Sequence, residues 1–184
     1  LKAANAGAND FFGTVVAVSG DTVVVGAFGE DSSTTGINST PNELAADSGA
    51  AYVFVRSGTA WTQQAYLKPS NTGVNDNFGT AVAVSGDTVV VGARAEDSST
   101  TGINSTPNDD ATEAGAAYVF VRSTTESVTT WAQQAYLKAS NAGTIDYFGT
   151  AVAVSGDTVV VGAFFEDSST TGINSTPNEE ASNS

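Results

Sequence analysis

The chain has no cysteine, no histidine and no methionine. Without cysteine there are no disulfides, no thiolate metal ligands and no cysteine nucleophile. Without histidine, the usual general base near neutral pH and the commonest transition-metal ligand are both missing. Positive charge is scarce too: six Lys and Arg stand against 20 Asp and Glu, a formal net charge of −14. Nucleic acids and anionic membranes both select a basic face, so neither is an expected partner. Divalent cations, a basic partner, or plain solubility in a salty medium remain. No apolar run approaches the ~18 residues of a membrane span, so no membrane insertion is expected, and no signal peptide is visible. Leu1, standing where an initiator Met would be, suggests a processed product or a piece of a longer chain.

What is there instead is valine, alanine and glycine. Hydrophobic residues make up 40 % and are mostly Val and Ala, with 19 Gly. Such a composition suits pleated sheet, where β-branched side chains pack well. Phe12-Gly13, Phe78-Gly79 and Phe148-Gly149 recur at a period of roughly 66–70 residues, and GTAVAVSGDTVVVGA stands at both Gly79–Ala93 and Gly149–Ala163. A period of this length marks supersecondary units stacked or arranged around an axis.

Each unit reads as four strands. Thr80–Ser85 alternates Val82 and Val84 with the small Ala81 and Ala83; Gly86-Asp87 makes a hairpin turn into Thr88–Ala93. After a long loop, Ala116–Arg122 places Tyr118 and Phe120 opposite Val119 and Val121. Trp131–Lys138 is less apolar and is expected outermost. The second period gains four residues between Arg122 and Trp131, read as a longer link than that from Arg56 to Trp61. An inner strand thinned to Ala and Val fits the taper of a β-propeller blade better than a sandwich. The expected fold is therefore all-β, with about two and a half four-stranded antiparallel blades in this chain. Val82, Val84, Tyr118 and Phe120 are the expected inter-sheet core.

Phe-Gly, strand, turn, strand and Gly-Ala, carried by Phe12-Gly13 with Gly26-Ala27, Phe78-Gly79 with Gly92-Ala93, and Phe148-Gly149 with Gly162-Ala163, resembles the FG-GAP repeat. FG-GAP repeats build the integrin α-chain β-propeller and many bacterial surface proteins, and the resemblance covers nearly the whole chain. It implies propeller blades and an extracellular or cell-surface location. Two features depart from the family. Phe28, Arg94 and Phe164 stand where the family has Pro, and Ser19-Gly20-Asp21 with its two copies is too short for the family's calcium loop. The family's calcium sites therefore do not transfer to that turn. The expected divisions are residues 1–11 (end of a preceding blade's outer strand and link), 12–77 and 78–147 (two blades), and 148–184 (the first half of a third). That half-blade is expected to be completed by residues resembling Gly49–Tyr66 in a longer chain, or by strands of another copy.

One surface loop is repeated to the letter. EDSSTTGINSTPN stands at Glu30–Asn42, Glu96–Asn108 and Glu166–Asn178, between flanks that drift. Asp31, Ser33, Thr35 and Ile37, with Gly36 between the last two, follow the alternating oxygen spacing of calcium loops. Asp97, Ser99, Thr101 and Ile103, and Asp167, Ser169, Thr171 and Ile173, are the copies. Asn42 stands where a closing bidentate Glu belongs, so calcium would be held weakly, at ~10⁻⁴–10⁻³ M. The competing reading is a turn network in which Asp31, Ser33 and Thr35 bond their own backbone. Asn38, Asn104 and Asn174 also carry the N-glycosylation spacing, though the Pro two residues after each Ser argues against its use.

Sixteen of the 20 acidic residues fall in these loops and in the Asp10, Asp76 and Asp146 links, which an up-and-down blade places at one end. Trp61 and Trp131 are expected to pack between blades, and Arg56 and Arg122 to pair with carboxylates at the opposite rim. Asp21, Asp87 and Asp157 are turn residues. Repeated acidic residues argue against a catalytic site, which is usually single. The leading expectation is a non-catalytic structural or adhesive propeller that self-associates or belongs to a longer array. The alternative is a carbohydrate- or protein-binding module using the acidic face.

Overall fold

A computed structural model of the chain describes residues 1–178. All its regular elements are strands: β1 (Val16–Ser19), β2 (Thr22–Ala27), β3 (Ala50–Ser57), β4 (Ala60–Leu67), β5 (Phe78–Ser85), β6 (Thr88–Ala93), β7 (Ala116–Thr125), β8 (Val128–Leu137), β9 (Phe148–Ser155) and β10 (Thr158–Ala163). They form antiparallel sheets ordered β1-β2-β3-β4, β5-β6-β7-β8 and β9-β10, the blades of a partial β-propeller. The less apolar fourth strands lie at the sheet edges, as expected.

Local chemistry sets the hairpins. Gly20, Gly86 and Gly156 hold φ near +55° at the first central turn position, so Ser19 pairs with Thr22 and Ser85 with Thr88. Two boundaries differ from the sequence reading. β5 starts at Phe78 rather than Thr80, because Phe78 pairs with Ala93 across a bulge. The four extra residues lengthen a hairpin instead of a link: Glu126 and Ser127 both adopt left-handed φ, and Thr-rich flanks extend β7 and β8 around them.

The Phe-Gly and Gly-Ala pairs are where blades meet. Gly49 bridges Phe78 and Gly115 bridges Phe148 in parallel. A Cβ on Gly26 or Gly92 would run into the carbonyl oxygen of Gly79 or Gly149 in the following blade. Phe78 is fully buried, with Tyr118 and Phe120 edge-on at centroid distances of 5.4 and 6.0 Å. Around it Val24, Val53 and Leu67 of the first blade meet Val89, Val91, Tyr118 and Phe120 of the second, with Val82 and Val84 packed against them. The expected core residues are thus in the core.

At the opposite rim Arg56 pairs with Asp21 (2.6 Å) and Arg122 with Asp87 (2.7 Å). The bulge in β4 turns Gln64 toward the next blade, where its Oε1 accepts the Trp131 indole N–H at 3.0 Å. Trp131 is therefore a junction residue, whereas Trp61, on the first blade, is 39 % exposed.

Candidate functional site on the acidic loop face

The β2–β3 loop and the inter-blade link emerge together. The Asn75 and Asn77 amides donate to the Ala46 and Asp47 carbonyls at 2.8 and 3.0 Å, and Gly29, Ala95 and Phe165 donate to the carbonyls of Asp10, Asp76 and Asp146. The acidic residues do share one end of the blades; Glu179 and Glu180 lie outside the described residues. They do not form a uniformly solvated face, because Asp10, Glu30, Asp76, Glu96 and Asp146 are buried.

Glu30 is the centre of a closed polar cluster. Its Oε1 accepts the Asn5 amide (3.1 Å) and the Tyr66 hydroxyl (2.9 Å); its Oε2 accepts the Ser32 N–H (3.1 Å) and the Lys68 ammonium (3.2 Å). Lys68 also donates to Ser48 Oγ (2.8 Å) and the Gly49 carbonyl (2.6 Å), so its three protons each have an acceptor. The second blade repeats the glutamate's partners with Glu96, Asn71, Tyr136, Ser98 and Lys138, and Lys138 keeps the Gly115 carbonyl (2.6 Å), but Ala114 stands where the first blade has Ser48. Burial lowers the ammonium pKa of Lys68 and Lys138, and the facing glutamate opposes that shift. Burial, and then the Glu30 charge, holds the Tyr66 hydroxyl well above its ordinary range. Sequence reasoning missed this cluster, although the signal was there: two of only six basic residues follow Tyr-Leu at the same place in both blades.

The links hold a second buried carboxylate. Asp76 accepts the Gly73 amide at 2.7 Å and is 4 % exposed. Burial pushes its pKa up to about 7; the Gly73 bond opposes this and the charges of Glu96 and Asp97 add to it.

The residues with calcium-loop spacing are placed as follows. Asp31 Oδ1 accepts the Asp47 amide (2.8 Å), and Asp97 Oδ1 the Glu113 amide (2.7 Å). The Ser33 amide and hydroxyl both donate to Asn42 Oδ1, as Ser99 does to Asn108 and Ser169 to Asn178. Thr35, Thr101 and Thr171 are exposed, and Asp167 is half-buried. The side chains of Asp31 and Ser33 thus enter the loop's own hydrogen bonds, while that of Thr35 stays in water. Among the described residues no three acidic side chains converge into a metal-holding group.

The rest of the loop lies along the outer edge of the sheet. Asn38 N–H donates to the Tyr66 carbonyl (2.8 Å), Tyr66 N–H to Asn38 Oδ1 (2.9 Å) and Lys68 N–H to the Gly36 carbonyl (3.1 Å). Ile37 bridges Leu67, and Ile103 bridges Leu137 in the same way. A sheet edge left bare exposes unpaired amides and carbonyls; here Gly36-Ile37-Asn38 covers it. Asn38 and Asn104 stand at φ near +56°, tolerable for Asn, and Ile173, which has no such bridge among the described residues, is 95 % exposed.

The near-identical units diverge next to this face. Phe11 stacks on Phe28 at 4.9 Å; the corresponding pair in the second blade is Asn77 and Arg94, and in the third Tyr147 and Phe164, where Tyr147 packs on the neighbouring Phe165 at 5.6 Å.

With these junctions and loops in view, the comparison with known families is specific: the FG-GAP repeat matches residues 1–54, 61–120 and 131–176. The chain belongs to the FG-GAP repeat family. The unit matched over 61–120 contains nearly all of β4 of one blade and β5, β6 and the first half of β7 of the next, so the FG-GAP sequence period runs one strand out of phase with the sheets. No curated protein matches the chain. Among the described residues no helix is long and apolar enough to cross a membrane.

Proposed function

We propose that the chain is a non-catalytic structural or adhesive stretch of an extracellular or cell-surface β-propeller, working beside adjoining repeats or other copies of itself. One observation carries this reading: the buried glutamate of the acidic face is bonded by the same tyrosine and lysine in both complete blades. A carboxylate-based hydrolase needs an accessible acid–base pair. Glu30 and Glu96 instead spend both oxygens on protein donors. Repetition of one surface suits avidity or lattice contacts, and FG-GAP repeats typically occur in extracellular and surface proteins.

Calcium enters the proposal as a weak ligand of Asp31, Asp97 and Asp167, stiffening loops that their own hydrogen bonds already close. The second reading, a glycan- or protein-binding module, is favoured by the divergence at Phe11/Phe28, Asn77/Arg94 and Tyr147/Phe164, since binding positions are where otherwise identical units profit from differing. Light scattering against concentration, run beside a glycan array, separates the two. Mass rising above 18.5 kDa without ligand supports the scaffold. A monomer that retains specific glycans supports the binding module, and turnover of any glycan overturns the non-catalytic reading.

A further inference from the structure

The Arg122–Trp131 pair locks the second blade onto the first. The guanidinium sits 5.5 Å from the indole centroid, and the two residues face each other across β7 and β8. Arg122 Nε donates to Asp87 in its own blade's turn at 2.7 Å, while its Nη1 reaches Thr22 Oγ1 (3.2 Å) and Gln64 Oε1 (3.4 Å) in the preceding blade. Trp131 Nε1 bonds the same Gln64 oxygen at 3.0 Å. The lock therefore has three acceptors: a turn aspartate, a strand-two threonine and the bulged glutamine.

One repeat further on, those acceptors are Asp157, Thr88 and Gln134. All three line a single groove of about 360 Å³ between the second blade and β9–β10, floored by Val119, Val121 and Leu137. Gln134 is bulged out of β8 as Gln64 is out of β4, but it is exposed where Gln64 is half-buried. Beside the groove, among the described residues, β10 pairs with β9 alone.

We propose that this groove is a receptor for a guanidinium–indole pair, presented by a β-hairpin of a further repeat of the same kind that adds to β10. This rests on the scaffold reading above and names the contact through which it works. The occupant is identified by the lock already built at the preceding junction: a cation for Asp157, donors for Thr88 and Gln134, and apolar strand faces for the valine floor. Backbone pairing to β10 supplies affinity, and the Arg–Trp key supplies selectivity.

The test adds a backbone-cyclised peptide with the sequence Ala116–Leu137, its tryptophan fluorine-labelled, to the 184-residue protein. The expected result is saturable binding, a shifted fluorine signal, and slowed amide exchange over Val159–Val161. Gln134→Ala and Asp157→Asn in the protein, both exposed and checked by circular dichroism, should each weaken binding about tenfold, as loss of a desolvated or charge-assisted bond does. Peptides with Trp→Ala or Arg→Gln should lose as much. No binding by the wild type, or equal binding by all variants, overturns the receptor. Association of the protein alone that persists in Gln134→Ala would overturn the receptor while leaving the scaffold reading standing.

Discussion

Lys68 Nζ lies 3.2 Å from Glu30 Oε2 with both side chains withdrawn from water, and Lys138 stands 3.0 Å from Glu96 in the same way. Each pair spans a blade from the end of strand two to the end of strand four. Removing the cation leaves a buried carboxylate facing one fewer donor. Lys68→Met should therefore destabilise by about 3–5 kcal/mol, with Glu30→Gln/Lys68→Met recovering part of the loss. Urea melts of the three proteins measure this; a single variant as stable as wild type would show the pair to be inert.

Gly92→Ala should be severe and Gly162→Ala mild. Neither glycine has positive φ, so the difference is space alone. A Cβ on Gly92 would collide with the Gly149 backbone, whereas one on Gly162 meets, among the described residues, only Ala151, its methyl at 3.6 Å and its carbonyl oxygen at 3.9 Å. The first should cost about 2 kcal/mol or more, as overpacking against immovable backbone does, and the second roughly nothing. Equal thermal shifts in the two variants would contradict the blade-junction account of the Gly-Ala motif.

Asp76 should contribute an inverted pH dependence to stability. Its folded pKa, near 7, lies above the ordinary value of 3.8. Between those two values the native state binds the proton and the unfolded state does not. Its contribution to stability is thus full below about pH 4 and is lost as pH rises toward 7, at up to about 1.4 kcal/mol per pH unit. Asp76→Asn keeps an acceptor for the Gly73 amide and has no charge to bury. It should remove that slope and be more stable than wild type at pH 8; parallel pH–stability curves for the two proteins would refute it.

The blades were legible in the sequence because alternation in Thr80–Ser85 and Ala116–Arg122 and the repeated Gly-Asp turns are local signals. The Glu30–Lys68 pair was not, because its partners are joined only when β4 returns beside β3, and a glutamate opening a polar loop reads as solvated. The hairpin tip at Glu126-Ser127 lacks the Asn-Gly signature of a turn with two left-handed residues. For Asp31, Ser33 and Thr35 the ambiguity is chemical. A calcium loop and a hydrogen-bonded turn both need side-chain oxygens at alternate positions. Likewise, nothing in Gly36-Ile37-Asn38 alternates, so three residues covering a sheet edge leave no periodic trace.

Calcium at the loops is tested by melting temperature in wild type and in Asp31→Asn/Asp97→Asn/Asp167→Asn, which keeps an acceptor for the Asp47 and Glu113 amides. About 10 mM calcium acting on a ~1 mM site stabilises by about 1.4 kcal/mol. The shift should appear in wild type only. The same shift in both proteins, or none in either, removes these residues as ligands.

The most direct measurement on the central claim, that the repeated loop closes the edge of strand four in both complete blades by its own hydrogen bonds, is amide hydrogen exchange in the presence of a chelator. The account predicts that Asn38, Tyr66 and Lys68, and their counterparts Asn104, Tyr136 and Lys138, exchange as slowly as neighbouring strand amides without any cation. Rapid exchange at these six amides in chelator, slowed only when calcium is restored, would contradict it and make the loop a ligand site first.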